Sequence, residues 1–168
     1  MPEQPVRLTA LRAVVDVELA ADPMLDGGWD AVRIESLVQS IVEREVGPGH
    51  YSMALYLVGD DEIRALNREH RGQDAHTDVL SFPLHDPTGM RFVTPPDEPI
   101  ALGDVVVSWP RALEQAREFG HTPAREIAYL VAHGVLHVLG YDHEREADQR
   151  VMRAREEESL AAFGLTRD

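Results

Sequence analysis

Cysteine is absent from this chain, and so is lysine. Without thiols there is no disulfide, no thiolate zinc site, no iron–sulfur cluster and no cysteine nucleophile. Without a lysine amine there is no Schiff-base chemistry and no P-loop lysine to hold a nucleotide phosphate. All 16 basic residues are therefore arginine, and compositional bias is the simplest reason. Long apolar runs are missing too: none reaches the roughly 18 residues that a membrane span needs. The opening stretch has no basic head followed by an apolar core, and Asp16 and Glu18 interrupt its apolar residues. Neither a secretory signal nor an anchor is expected, and the expected location is the cytoplasm.

Positive charge is also in short supply. Thirty acidic residues against 16 basic ones leave a formal charge of −14. A chain so acidic does not coat nucleic acid by bulk charge, although a local basic cleft stays open to it. At 43% hydrophobic and 27% charged, the chain has the balance of a folded globular protein. Its 168 residues suit one domain that buries about two-thirds of its unfolded surface.

The patterning mixes helices and strands without repeats or a linker, so residues 1–168 are expected to form a single domain. Residues 1–10 read as a loose leader. "RAVVDVEL" and "YSMALYLVG" alternate as strands, and "TDVLSFPL", ended by Pro83, and "LGDVVVS" read as strands too. Between the first two, Val32, Leu37, Val38, Ile41 and Val42 recur near helical spacing until "GPG" ends the run. "DDEIRALNREHRG" is a short helix with Asp60 as its expected cap. "PRALEQAREFG" is another, opened by Pro110 and stopped by Gly120. Residues 85–99, with four prolines, predict a long exposed loop. Thr122 and Pro123 open a helix to about residue 139 that is apolar nearly all round and hence buried; Gly140 is its left-handed terminator. A charged helix closes the chain. The expected class is α+β, with a mixed sheet of about four strands packed with about five helices.

The chemistry sits in "AHGVLHVLGYDHE", residues 132–144. His133 and His137 are four apart on a helix and so share one face. Gly140 lets the chain turn back, and His143 follows within reach of the same point. A lone histidine in such surroundings is more often a hydrogen-bonded core group than a ligand. Three at this spacing, with a glycine where the turn is needed, predict a single divalent ion with one position left open, the layout of a catalytic zinc site. Imidazole ligation suits Zn²⁺, while Ni²⁺, Co²⁺ or Cu²⁺ would also be held. The spacing matches that of the metzincin proteases except after the first histidine. There those enzymes carry a glutamate base and this chain has Gly134, which excludes that route to proteolysis. A side chain introduced at residue 134 is expected to crowd the open metal position.

"HGVLHVLGYDH" resembles the signature of the YbeY family of bacterial metal-dependent endoribonucleases. "LNREHRGQDAHTDVLSFP" and "LGDVVVS" resemble two further blocks of that family, and "HEREADQRVM" its acidic stretch after the third histidine. The blocks run in order over about residues 50–160. The resemblance implies His133, His137 and His143 as zinc ligands and Arg71 as the functional arginine beside the metal. It implies a metal helix laid across one face of the sheet, in a zincin-like layout. The implied activity is that of a single-strand-specific endoribonuclease in 16S rRNA 3′-end maturation and ribosome quality control. The implied partners are 16S precursor RNA, the small ribosomal subunit with its proteins, and a ribosome-assembly GTPase. Where the family commonly has lysine and proline, this chain has Gln73 and His76, which weakens positive charge near the site.

Around that core, several roles are open. Arg64, Arg68 and Arg71, at i, i+4 and i+7, form a candidate basic stripe for RNA, against the plain alternative of a solvated helix face. Asp142 is a candidate for orienting a ligand histidine from behind, or for fixing the turn. Attack by water and attack by the RNA's own 2′-hydroxyl are equally allowed. Leu80, Phe82 and the strand at 102–108 are expected to flank the metal cleft, with Ser81 and Ser108 as ordinary strand residues. Tyr141 offers a ring for base stacking, and Trp109 is expected in the core. Two other readings compete: a different metal hydrolase, such as a peptidase or amidase, and a non-catalytic ribosome-assembly factor with a structural metal.

Overall fold

The computed structural model of the chain describes residues 13–21, 31–84, 98–141 and 144–165. Four strands, β1 (Ala13–Ala21), β2 (Gly49–Val58), β3 (Val79–Pro83) and β4 (Ile100–Ser108), form one sheet in the order β1-β2-β4-β3. The first three in that order are parallel, and β3 runs antiparallel to β4 along the edge. Among the described residues the helices are α1 (Ala31–Glu45), α2 (Asp60–Arg71), α3 (Trp109–Phe119), α4 (Pro123–Val138) and α5 (Glu146–Ala161). The α+β class, the mixed four-stranded sheet and the five helices are as the sequence predicts. The expected leader at 1–10 and residues 85–97 of the expected loop lie outside the described residues.

Two-residue periodicity sorts the strands' side chains between two unequal layers. Met53, Leu55 and Leu57 of β2, with Val105 and Val107 of β4, face the main core under α1 and α4. Val106 and Leu80 face the opposite way and meet Ile63 of α2 in a smaller cluster. Within α1 the buried stripe is Ile34, Leu37, Val38, Ile41 and Val42, whereas Val32 is 69% exposed. The helical period is right, but the stripe begins at Ile34 and Val32 lies off it.

Helix α4 is the centre of the molecule. It packs on β3 and β4 below and on α1, α3 and α5 around it. Leu130, Val131, Val135 and Leu136 are each at most 1% exposed. Burying one such side chain is worth about 1.5–3 kcal/mol, so the helix is held far more by packing than by propensity. Its ends follow the sequence signals. Thr122 Oγ1 accepts from the Arg125 amide at 3.1 Å, and Pro123 takes the first position. At the other end Gly140 has φ +106°, and the amides of Gly140 and Tyr141 close on the carbonyls of His137 and Leu136, both at 3.0 Å. This is a left-handed exit that a β-carbon would oppose.

One expected cap differs. Gly59, not Asp60, occupies the cap of α2. Asp60 lies inside the first turn, where its carboxylate accepts from the buried Ser108 hydroxyl at 2.9 Å. The parallel pairing of β2 and β4 places the ends of both strands side by side, so the contact made there outcompetes a local cap.

Candidate active site

His133 and His137 stand where their spacing predicts, on one stripe of α4. Their rings are 4.7 Å apart between centroids and nearly perpendicular, at 79°. Both are only partly exposed. The Nδ1 atom of His133 meets the carboxylate of Glu156, which is 3% exposed on α5. One turn earlier, the Tyr129 ring lies 5.9 Å from that of His133 at a shallow 32°. Burial pushes the Tyr129 hydroxyl up to about 12, and the Glu156 charge adds to the shift. Earlier still on the same stripe is Glu126, 2% exposed, whose carboxyl burial raises above its ordinary value, Arg125 opposing and Asp78 reinforcing the shift. The stripe therefore runs from a buried acid, through a protonated phenol, to two partly exposed imidazoles. Among the described residues no three acidic or histidine side chains close a metal site by themselves. The expected third ligand, His143, lies outside the described residues, as does Asp142.

Gly134 has a different reason for being glycine than the one its neighbour suggests. A β-carbon built there would sit 2.5 Å from Val105 Cγ1, 3.2 Å from Val79 Cγ2 and 3.4 Å from Ser81 Oγ. The residue faces the sheet, not an open metal position. The expectation that a side chain at 134 would crowd the metal is corrected: it would strike β4 first. Glycine is the residue that lets α4 come this close.

Ser81 exploits the same approach. Its hydroxyl donates to the Gly134 carbonyl at 3.1 Å, while its own carbonyl accepts from Arg71 Nη2 at 3.0 Å. Asp78 and Leu84 bond toward β4 through their main chains. By the two-residue period the Ser81 carbonyl is on the free edge of β3, which Arg71 covers. The Arg71 guanidinium also lies 5.9 Å over the Phe82 ring. Arg71 is thus two hydrogen bonds from α4, one residue past His133. Ser81 is consequently more than an ordinary strand residue. Leu80 and Phe82 belong to the α2 side with Ile63 and Val106, so they do not flank the histidines. The even-numbered side chains of β3 face away from α4 because Ser81 faces toward it.

The arginines expected as a stripe have unequal surroundings. Arg64 is engaged by Asp74 through both Nε, at 2.7 Å, and Nη2, at 3.2 Å. That partner, through its hydrogen bond and then its charge, raises the Arg64 pKa further. Arg68 and Arg71 are exposed.

The family model described as Endoribonuclease YbeY matches residues 28–164. The chain is 47% identical over 152 residues to Endoribonuclease YbeY of Chloroflexus aggregans, covering 90% of this chain and 97% of that one. It is 48% identical over 153 residues to the protein of that name from Roseiflexus sp. strain RS-1, covering 90% and 95%. It belongs to the YbeY family. The fold agrees with the solution structure of TM1509 from Thermotoga maritima, at a TM-score of 0.57 and 29% identity over 90% of this chain and 92% of the other. The chain is thereby a member of a family of endoribonucleases, enzymes that hydrolyse RNA phosphodiester bonds.

Two partners of the family's histidine segment escaped sequence reasoning. Glu156 is one. The other is Glu45, at the end of α1, which accepts a hydrogen bond of 2.5 Å from the Tyr141 hydroxyl. Tyr141 is half-buried against the core and anchors the chain directly after the Gly140 turn, so its ring is not free to stack on a base. Burial alone would raise the Glu45 carboxyl. Tyr141, Arg44 and Arg155 outweigh burial and hold it below its ordinary value. Trp109 packs on the core as expected.

Proposed function

We propose that this chain is a single-strand-specific, metal-dependent endoribonuclease acting in 16S rRNA 3′-end maturation and ribosome quality control. Its partners would be the RNA precursor, the small subunit with its proteins, and an assembly GTPase, in the cytoplasm. The observation that carries the reading is the His133–His137 pair, presented side by side on a buried helix in a chain of an endoribonuclease family. No helix among the described residues is long and apolar enough to cross a membrane.

Two neighbouring imidazoles, one of them backed by a carboxylate, suit one borderline-soft divalent ion, for which His143, outside the described residues, would be the third ligand. Zn²⁺, or Ni²⁺ in its place, would supply Lewis-acid polarisation of a phosphoryl oxygen. The chain's own residues do the rest. Arg71 spends one N–H on the Ser81 carbonyl, which fixes the guanidinium beside the edge strand. Its remaining donors, on an exposed side chain, match a phosphate in the forked geometry that lysine lacks. Arg68 adds positive charge one turn back, while Asp74 offsets that of Arg64. Asp142, which precedes His143 in the sequence, would orient a ligand histidine.

The test is purified protein, with and without chelator, on structured ribosomal RNA and on peptides. RNA cleavage that stops with chelator and returns with Zn²⁺ supports the reading. Cleavage of peptides alone favours another hydrolase. No turnover of either, with metal still required for folding, favours an assembly factor.

A further inference from the structure

We propose that Glu156 is a positioning residue that sets the tautomer and ring orientation of His133. The inference rests on the reading of His133 as a metal ligand, and it concerns a group 23 residues away in sequence, on another helix.

The chemistry is one of counting protons. A carboxylate only accepts hydrogen bonds, so the ring nitrogen it meets must carry the hydrogen. Glu156 Oε2 meets Nδ1 of His133. A neutral imidazole has a single N–H, and once this is on Nδ1 the lone pair is left on Nε2. That is the form a metal requires of a histidine bound through Nε2. In an unconstrained imidazole the two tautomers exchange freely, and part of the population presents an N–H where the ion needs an electron pair.

The carboxylate is well placed to enforce the choice because it cannot leave. Glu156 is 3% exposed, between Met152 and Leu160 on the buried face of α5. Two further ties hold that helix. Arg125 of α4, itself 5% exposed, bonds both oxygens of the adjacent Glu157, at 3.2 and 3.3 Å. Arg44 of α1 reaches Ser159 Oγ at 2.8 Å. The position of Glu156 relative to His133 is thus set by the docking of three helices, and water has little access to compete for Nδ1. The opposite arrangement, a flexible acid on a loop, would not hold one tautomer.

A plain helix-to-helix staple would predict something else: a loss of stability and no effect on the ring. Glu156→Gln separates the two. The amide is nearly isosteric, and its two ends can accept from Nδ1–H or donate to a bare Nδ1, so the helices stay joined while the tautomer preference is lost. Two readouts follow. In metal-free protein with ¹⁵N-labelled histidine, near pH 8, where imidazole is ordinarily neutral, long-range ¹H–¹⁵N spectra report which nitrogen of His133 is protonated. The wild type should show Nδ1–H alone, and Glu156→Gln should show an added Nε2–H form. Zn²⁺ affinity, measured by competition with a chromophoric chelator, should fall about 10- to 100-fold, with little change in thermal midpoint. Nε2–H as the main wild-type form overturns the proposal, as does wild-type zinc affinity in Glu156→Gln. A separate control protects against confusing the two readings. Zinc retained at full stoichiometry by His133→Ala overturns the metal reading itself, whereas zinc that leaves with His133 but ignores Glu156→Gln overturns only the role of Glu156.

Discussion

Replacing Gly134 by alanine adds one methyl group at the tightest contact between α4 and the sheet. Two effects compete. Alanine is the better helix former by about 0.8–1.0 kcal/mol, so in an open helix the change would stabilise. Here the new β-carbon would lie 2.5 Å from Val105 Cγ1 and 3.2 Å from Val79 Cγ2. Val105 is 0% exposed in an interior strand, and its β-branched side chain has little rotamer freedom with which to retreat. Overpacking of this kind costs about 1–3 kcal/mol, occasionally more. The steric cost outweighs the gain in helix propensity. Because Val105 cannot retreat, the cost falls in the upper part of that range, about 2–3 kcal/mol, and the resulting net loss of about 1–2 kcal/mol lowers the thermal midpoint of a protein of this size by about 2–8 °C. Urea or thermal unfolding followed by circular dichroism measures it. The cause is checked by a double variant: with Val105→Ala the new methyl has room, so Gly134→Ala should cost less, by about 0.5–3 kcal/mol, than it does alone. Gly134→Ala as stable as the wild type, or an additive double variant, would refute the packing account. The same geometry predicts that Gly134→Glu fails by misfolding, not by repelling RNA.

Other outcomes follow from the site. His133→Ala combined with His137→Ala should abolish the bound metal, and elemental analysis of protein purified without metal-affinity resin checks this; retained stoichiometry would remove the site. Arg71→Ala should abolish RNA cleavage with fold and metal content intact, and Arg71→Lys should restore only part, because a point charge cannot reproduce the fork. Tyr141→Phe should cost about 1.5–3 kcal/mol, the worth of a hydrogen bond to a charged group, read by urea unfolding at neutral pH. The Glu45 carboxyl is held below its ordinary 4.5, so its stabilisation is complete above that value and is lost as pH falls through the lower folded value. Glu45→Gln should lack this part of the acid limb, and matching acid profiles for the two proteins would exclude the linkage.

What was legible in the sequence was what depends on near neighbours along the chain. Helix ends were readable because Thr122, Pro123 and Gly140 act on backbone groups within four residues of themselves. The face shared by His133 and His137 was readable because four residues make about one helical turn in any surroundings. Strand alternation was readable for the same reason, yet which face of β3 meets α4 was not. Period two separates Ser81 from Leu80 and Phe82 without saying which set looks toward the histidines.

Tertiary structure decided the rest. Residues 144–158 contain six acidic side chains; helical spacing puts Glu156 on the face of Met152 and Leu160, but nothing along α5 says which residue of another helix that face will meet. Only the angle at which α5 docks on α4 turns Glu156 to His133, Glu157 to Arg125, and leaves Glu158 exposed. Gly134 shows the same limit from the other side. Its neighbour in sequence is a metal-ligand candidate, which suggests a chemical reason for the missing side chain, while its neighbour in space is Val105, 29 residues away. A residue's partners along a helix follow from a fixed rise and rotation. Its partners across helices and strands follow from how whole faces pack, and that is a property of the assembled core.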